Sequence, residues 1–163
     1  MLQRRYYDER PSEAPASITA QQWSVMQTRM KECPFSLLPL HKENSAGASS
    51  ETESFIMFLA QAQLPQHILF TPLVEYQTHQ CNAAPHMVCT FYAELVPSND
   101  VCLARCDVLN MAHLSKDESV RLLSDTVACY TKPELYEHVM AVNHSTDKFD
   151  LKMLLKDLRS ISK

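Results

Sequence analysis

Glycine is nearly missing from this chain: Gly47 is the only one among 163 residues. Loops that cradle a phosphate with backbone amides need several glycines, so that the chain can approach the anion and turn. Walker-type and dinucleotide-binding loops are therefore excluded. Long apolar runs are missing too, since none approaches the ~18 to 20 residues that a membrane span requires, and no membrane insertion is expected. Positive charge is not in excess. Lys and Arg number 15 against 19 Asp and Glu, a formal net charge of −4, which gives no general attraction for nucleic acid or anionic lipid. The opening residues do not read as a secretory leader, and a chain of this size needs no cross-links to hold its core. The six cysteines, Cys33, Cys81, Cys89, Cys102, Cys106 and Cys129, are therefore expected to be free thiols of a soluble protein in a reducing compartment.

What is present is ordinary for a globular protein: 45% hydrophobic, 21% charged and 8% aromatic residues. A chain of this length buries roughly 70% of its unfolded surface, enough for one substantial core. Residues 1–16, with Arg4, Arg5, Tyr6 and Tyr7 followed by Asp8, Glu9, Glu13 and two prolines, read as an unstructured arm. Only the first seven have the basic character of a mitochondrial transit peptide. Residues 17–163 then form a single domain, interrupted at 41–54 by a loop rich in Ser, Glu and Ala that is expected to be flexible.

The periodicities place the elements. Ser17 or Thr19 can cap a helix to about Lys31, with Trp23, Met26 and Met30 along one face. Pro34 stops it. Phe35 to Leu40 reads as a strand that Pro39 consigns to an edge, because it cannot donate to neighbours on both sides. Phe55 to Ala62 is apolar on both alternating faces, a pattern that suits a central strand covered twice and that periodicity alone does not separate from a buried helix. Met87, Cys89, Phe91, Ala93 and Leu95 alternate with more polar positions, and Pro97-Ser98-Asn99-Asp100 turns the chain into a second strand, Val101 to Val108. An antiparallel hairpin is the economical reading.

From Ser115 onward the pattern is helical. Ser115 and Glu118 form a capping box, and Val120, Leu123, Val127 and Tyr130 line one face until Pro133 starts another helix carrying Leu135, Tyr136, Val139 and Met140. In the last helix Asp150 is the cap, Phe149 a staple for Leu154, and Leu151, Leu154, Leu155 and Leu158 a stripe expected to face the sheet. The fold class is α+β: a mostly antiparallel β-sheet with helices packed against it and a helical C-terminal third.

The centre of the chain is Phe70 to His79. Thr71 reads as an N-cap and Pro72 as the first helical residue, so a short helix should leave the end of the strand Ile68-Leu69-Phe70. Phe70, Leu73 and Tyr76 are expected to be buried. Glu75, Gln77 and His79 form a polar outer side, for which the plain alternative is the solvated face of an amphipathic helix.

Two chemical readings compete with simple packing. His79, Cys81, His86 and Cys89 bring four metal-ligand types close together, but in none of the usual zinc spacings, and on a strand His86 and Cys89 would point to opposite faces. A thiol nucleophile needs an exposed, electropositive setting, whereas Cys89, Cys129, Cys102 and Cys106 fall on apolar faces. A thiol- or metal-dependent enzyme using Cys81, Cys89, His79 and His86 stands as the rival to a non-enzymatic binding protein without cofactor.

Several segments, in order, resemble the mitochondrial ATP synthase assembly chaperones that protect the unassembled beta subunit of the catalytic head. They are Cys33-Pro34-Phe35; His67 to His79, with Phe70-Thr71 and Glu75-Tyr76-Gln77-Thr78-His79; Ala84-Pro85 with Phe91-Tyr92-Ala93-Glu94-Leu95; Leu114 to Tyr130; and Leu135 to Leu158, with Val142-Asn143 and Lys148-Phe149. Two departures stand out. Gln80 occupies the place after Thr78-His79 where the family usually has glycine, and no Lys-Gly pair leads the strand Val101 to Val108. The resemblance implies a monomeric chaperone of the mitochondrial matrix, not an enzyme. It would bind the free beta subunit, prevent its aggregation and yield to the alpha subunit, with Pro72, Glu75, Gln77 and His79 as the candidate docking residues.

Overall fold

The computed structural model describes residues 12–42 and 54–161. Six antiparallel strands form one sheet in the order β1-β6-β5-β4-β3-β2. They are β1 (Glu13–Thr19), β2 (Phe35–His41), β3 (Phe55–Gln63), β4 (His67–Pro72), β5 (Met87–Tyr92) and β6 (Val101–Val108). The longer helices are α1 (Ala20–Glu32), α2 (Leu73–His79), α4 (Lys116–Thr131), α5 (Pro133–His144) and α6 (Leu151–Ile161), with the single turn α3 (Val96–Asn99) between β5 and β6. The α+β class and the antiparallel hairpin of β5 and β6 are as expected.

Alternation decides which face is buried. Ala14 and Ile18 of β1, Leu38 and Leu40 of β2, Phe58 and Ala60 of β3, Ile68 and Phe70 of β4, Met87, Cys89 and Phe91 of β5, and Cys102, Ala104 and Cys106 of β6 all belong to one core. Helices α1, α4 and α5 close it: Trp23, Met26 and Met30 from α1, Leu122, Leu123 and Tyr130 from α4, and Leu135 and Val139 from α5. Trp23 stacks on Phe91 with ring centroids 4.7 Å apart.

The edges follow from the ladders. Ala62 N–H donates to the Pro34 carbonyl and Val108 N–H to that of Ser12. Alternation from those bonds puts Pro39 in β2 and Pro15 in β1 at positions whose backbone groups turn away from the neighbouring strand. Pro39 lies on an edge strand, as its chemistry demands.

Both capping boxes form: Thr19 with Gln22 on α1 and Ser115 with Glu118 on α4. Asp150 caps α6 by accepting from the amides of Lys152 and Met153.

The structure corrects several expectations. Residues 13–16, assigned to an unstructured arm, are strand, held by pairing to Arg105, Cys106, Asp107 and Ala104 of β6; residues 1–11 lie outside the described residues. His41 ends β2 rather than opening a loop, and 43–53 of the expected flexible loop lie outside the described residues, while Lys42 N–H reaches the Ser54 carbonyl at 2.9 Å. Strand β5 stops at Tyr92, and Ala93 to Leu95 tighten into a 3-10 turn. On α5, Met140 is exposed. The leucine stripe of α6 does not lie on the sheet: the helix packs on α5, only Leu154 is fully buried, and Leu155 and Leu158 border a groove of about 450 Å³ with Val120 and Arg121 of α4 and Pro39.

Candidate functional site

Helix α2 leaves the sheet directly at the end of β4. Leu59 and Thr71, paired across β3 and β4 on the side away from Phe58 and Phe70, are both buried, and α2 packs against these two strands. Its start differs from the capped arrangement expected. Thr71 pairs with Leu59 and Pro72 with Phe58, so both belong to β4, and Leu73 is the first helical residue with no side-chain cap. Ladder bonds to β3 outweigh the local capping preference of Thr71. Leu73 and Tyr76 are half-buried rather than buried, whereas Phe70 is fully enclosed.

The candidate docking residues divide. Pro72 is buried in the strand. Gln77 and His79 are exposed on the outer side of α2. Glu75 turns inward: its Oε1 lies 3.1 Å from Nε2 of His86, whose side chain is only 7% exposed against 43% for Glu75. A polar side of α2 that read as uniformly outward is therefore split, with Glu75 tying the helix down.

His86 is the joint of this end of the sheet. Its N–H donates to the Phe70 carbonyl at 2.8 Å, and its own carbonyl accepts from Leu109 N–H at 2.8 Å and Asn110 N–H at 3.4 Å. The ring stacks against His113 at 5.9 Å and meets the edge of Phe58 at 6.3 Å. One residue thus fastens α2, the end of β4 and the connection from β6 to α4. That connection is anchored at its far end by Lys42, whose ammonium donates to the His113 carbonyl at 2.6 Å and pairs with Glu118 at 2.8 Å. Burial alone would raise the Glu118 carboxyl, but the Lys42 bond and the Ser115 amide outweigh it and hold the group below its ordinary value.

Around this joint lie the most exposed large apolar side chains among the described residues: Val74 at 72%, Leu109 at 59% and Met111 at 52%. Val74 adjoins Glu75, which reaches the His86 ring, and the Leu109 N–H donates to the His86 carbonyl, so the two are carried by elements that meet at one residue. Sequence reading passed over Leu109, Met111 and His113. The available signal was two apolar residues in the Leu109 to Leu114 connection, outside any helical or strand period and ahead of the Ser115 cap.

The residues of the enzyme reading do not gather. His79 and Cys81 are exposed, His86 is engaged by Glu75, and Cys89 is buried against Cys106 with its Sγ atoms 3.0 Å apart. Among the described residues no three His, Cys, Asp or Glu side chains are placed to hold a metal ion. No helix among them is long and apolar enough to cross a membrane.

This end of the molecule presents an antiparallel sheet, a small helix tied to it through Glu75 and His86, and exposed apolar side chains on the segments those two residues join. A family model described as ATP11 protein matches residues 1–160, and the chain belongs to that family, the assembly factors of the mitochondrial ATP synthase. Its role is in ATP synthase assembly, which places it with the mitochondrion, in a family not known for catalysis. No curated protein matches the chain.

Proposed function

We propose that the protein is a chaperone of the mitochondrial matrix that binds the free beta subunit of the ATP synthase catalytic head, keeps it from aggregating and releases it to the alpha subunit. It works as a monomer, without cofactor or covalent chemistry. The observation that supports this reading is the exposure of Val74, Leu109 and Met111 on α2 and on the β6–α4 connection, the two segments that His86 ties together. An unassembled subunit exposes an apolar interface, and covering it needs apolar groups held on a rigid base. A partner that must later give way to the alpha subunit has to cover only a modest area. Gln77 and His79 supply polar contacts at the rim of the same helix, while Pro72 and Glu75 serve by fixing its position.

The test is capture of the beta subunit from mitochondria together with suppression of its aggregation in vitro. The native protein should do both, and a Val74→Ser, Leu109→Ser double variant with an unchanged circular dichroism spectrum should lose both. Recovery of no beta subunit by the native protein, or full protection by the double variant, overturns the reading.

A further inference from the structure

We propose that Cys89 of β5 and Cys106 of β6 form a reversible disulfide inside the folded sheet. The ladder register sets Cys89 directly opposite Cys106. Because Leu109 N–H donates to the His86 carbonyl, hydrogen-bonded pairs fall at that position and every second one beyond it. Cys89 and Cys106 therefore meet at a non-hydrogen-bonded position, where opposing Cα atoms stand about 4.5 Å apart. That separation lies inside the range of about 4.4–6.8 Å that a disulfide bridges without moving the backbone. The two Sγ atoms are already 3.0 Å apart, and both residues are wholly enclosed. The other cysteines are engaged elsewhere or stand alone: Cys33 contacts Nε2 of His144, Cys102 donates to the Leu103 carbonyl, and Cys81 is on the surface.

With hydrogen peroxide as oxidant the step balances. One thiol is oxidised to a sulfenic acid with release of water; the second sulfur displaces hydroxide from it, the S–S bond forms, and a second water leaves. Two electrons pass from the sulfurs to the peroxide. A small thiol reverses the change by exchange, attacking one sulfur and then releasing the second.

Access sets the rate. Burial, reinforced by the Cys106 neighbour and by the charge of Asp107, holds the Cys89 thiol well above its ordinary value, so the reactive thiolate is scarce in the closed sheet. Oxidation proceeds through local opening of β5 from β6, and the product then resists reopening. The bond would brace the hairpin whose end carries His86 and the exposed Leu109, whatever those residues bind.

The test uses the full chain carrying Cys81→Ser, which removes the exposed thiol. It is oxidised with hydrogen peroxide to completion a few degrees below its melting point, then denatured, alkylated and mapped by mass spectrometry. The expected product is one intramolecular link between the peptides of Cys89 and Cys106, with Tm raised by about 10 °C and restored by dithiothreitol. Adding Cys102→Ala should leave link and shift in place, and adding Cys106→Ala should remove both. Alkylation of Cys89 and Cys106 after full oxidation, a link through Cys33, Cys102 or Cys129, or an unshifted Tm overturns the proposal.

Discussion

The carboxamide of Asn143 grips the backbone of Phe35 at both of its polar groups: Oδ1 accepts from the Phe35 N–H at 3.1 Å and Nδ2 donates to the Phe35 carbonyl at 2.7 Å. It does for Phe35 what a neighbouring strand would do. Phe35 lies on the outward-turned register of edge strand β2, so no ladder partner is available there, and α5 supplies one from its last turn. Nδ2 also reaches the Val139 carbonyl at 2.8 Å, which fixes the rotamer.

Replacing Asn143 with Ala strips two backbone groups of their partners where water has little access. Each such loss costs about 1–3 kcal/mol. Urea denaturation of Asn143→Ala should show a fall of that order with an unchanged slope, and Asn143→Asp should fall similarly, because a carboxylate cannot donate to the Phe35 carbonyl. Equal midpoints for the variants and the native chain would show that the clasp is not needed.

Gln80 adopts φ 50° and ψ −121°, a conformation that glycine enters freely and that costs a residue with a Cβ about 1–3 kcal/mol. It stands where the family usually has glycine. Gln80→Gly recovers the strain and returns part of it as unfolded-state entropy, for a net gain of about 1 kcal/mol. Thermal unfolding should move up by a few degrees, and a drop in Tm would count against strain at this position.

Asp125, half-covered on α4, has its carboxyl pushed up to about 6 by burial, with Arg121 opposing. A carboxyl raised on folding binds its proton more tightly in the native state, so stability falls as pH rises from its ordinary value near 3.8 through 6. The protein at pH 7 carries a charge its surroundings disfavour. Asp125→Asn should raise stability there by about 1–2 kcal/mol, and the gain should vanish below pH ~4. A gain independent of pH would assign the effect to packing.

Glu75 and its neighbours on α2 separate fold from binding. Gln77→Ala and His79→Ala should leave the melting curve unchanged and weaken capture of the beta subunit several-fold. Glu75→Ala removes the partner of His86 and should lower stability by about 1–2 kcal/mol, as Tyr76→Ala should by loss of half-buried ring area. Undiminished capture by Gln77→Ala and His79→Ala would remove α2 from the docking surface.

These divisions show what local pattern can and cannot convey. The β5–β6 hairpin, the Ser115 box, the Asp150 cap and the buried face of α1 were legible because each rests on residues within a few positions of one another. Strand β1 was not: Glu13, Pro15, Ala16 and Ser17 lack a strand's alternation, and they become extended only because β6 accepts them. Thr71 carried a true capping signal, but ladder bonds to Leu59 prevailed. At the site, Gln77 and His79 were legible as an exposed side of α2. Glu75 was not, since nothing near it announces that His86 waits underneath, and Leu109 and Met111 acquire meaning only because the His86 carbonyl, accepting from Leu109 and Asn110, fixes the start of their connection.

The two edge prolines have a consequence for the company this protein keeps. A sheet whose outermost strands each miss a backbone donor is a poor template for further strands. An assembly factor meets its clients while their own edges and apolar faces are still open, at the stage when chains recruit one another into aggregates. With Pro39 and Pro15 at its margins, it can dwell among such chains, at high local concentration, without becoming the seed on which they polymerise.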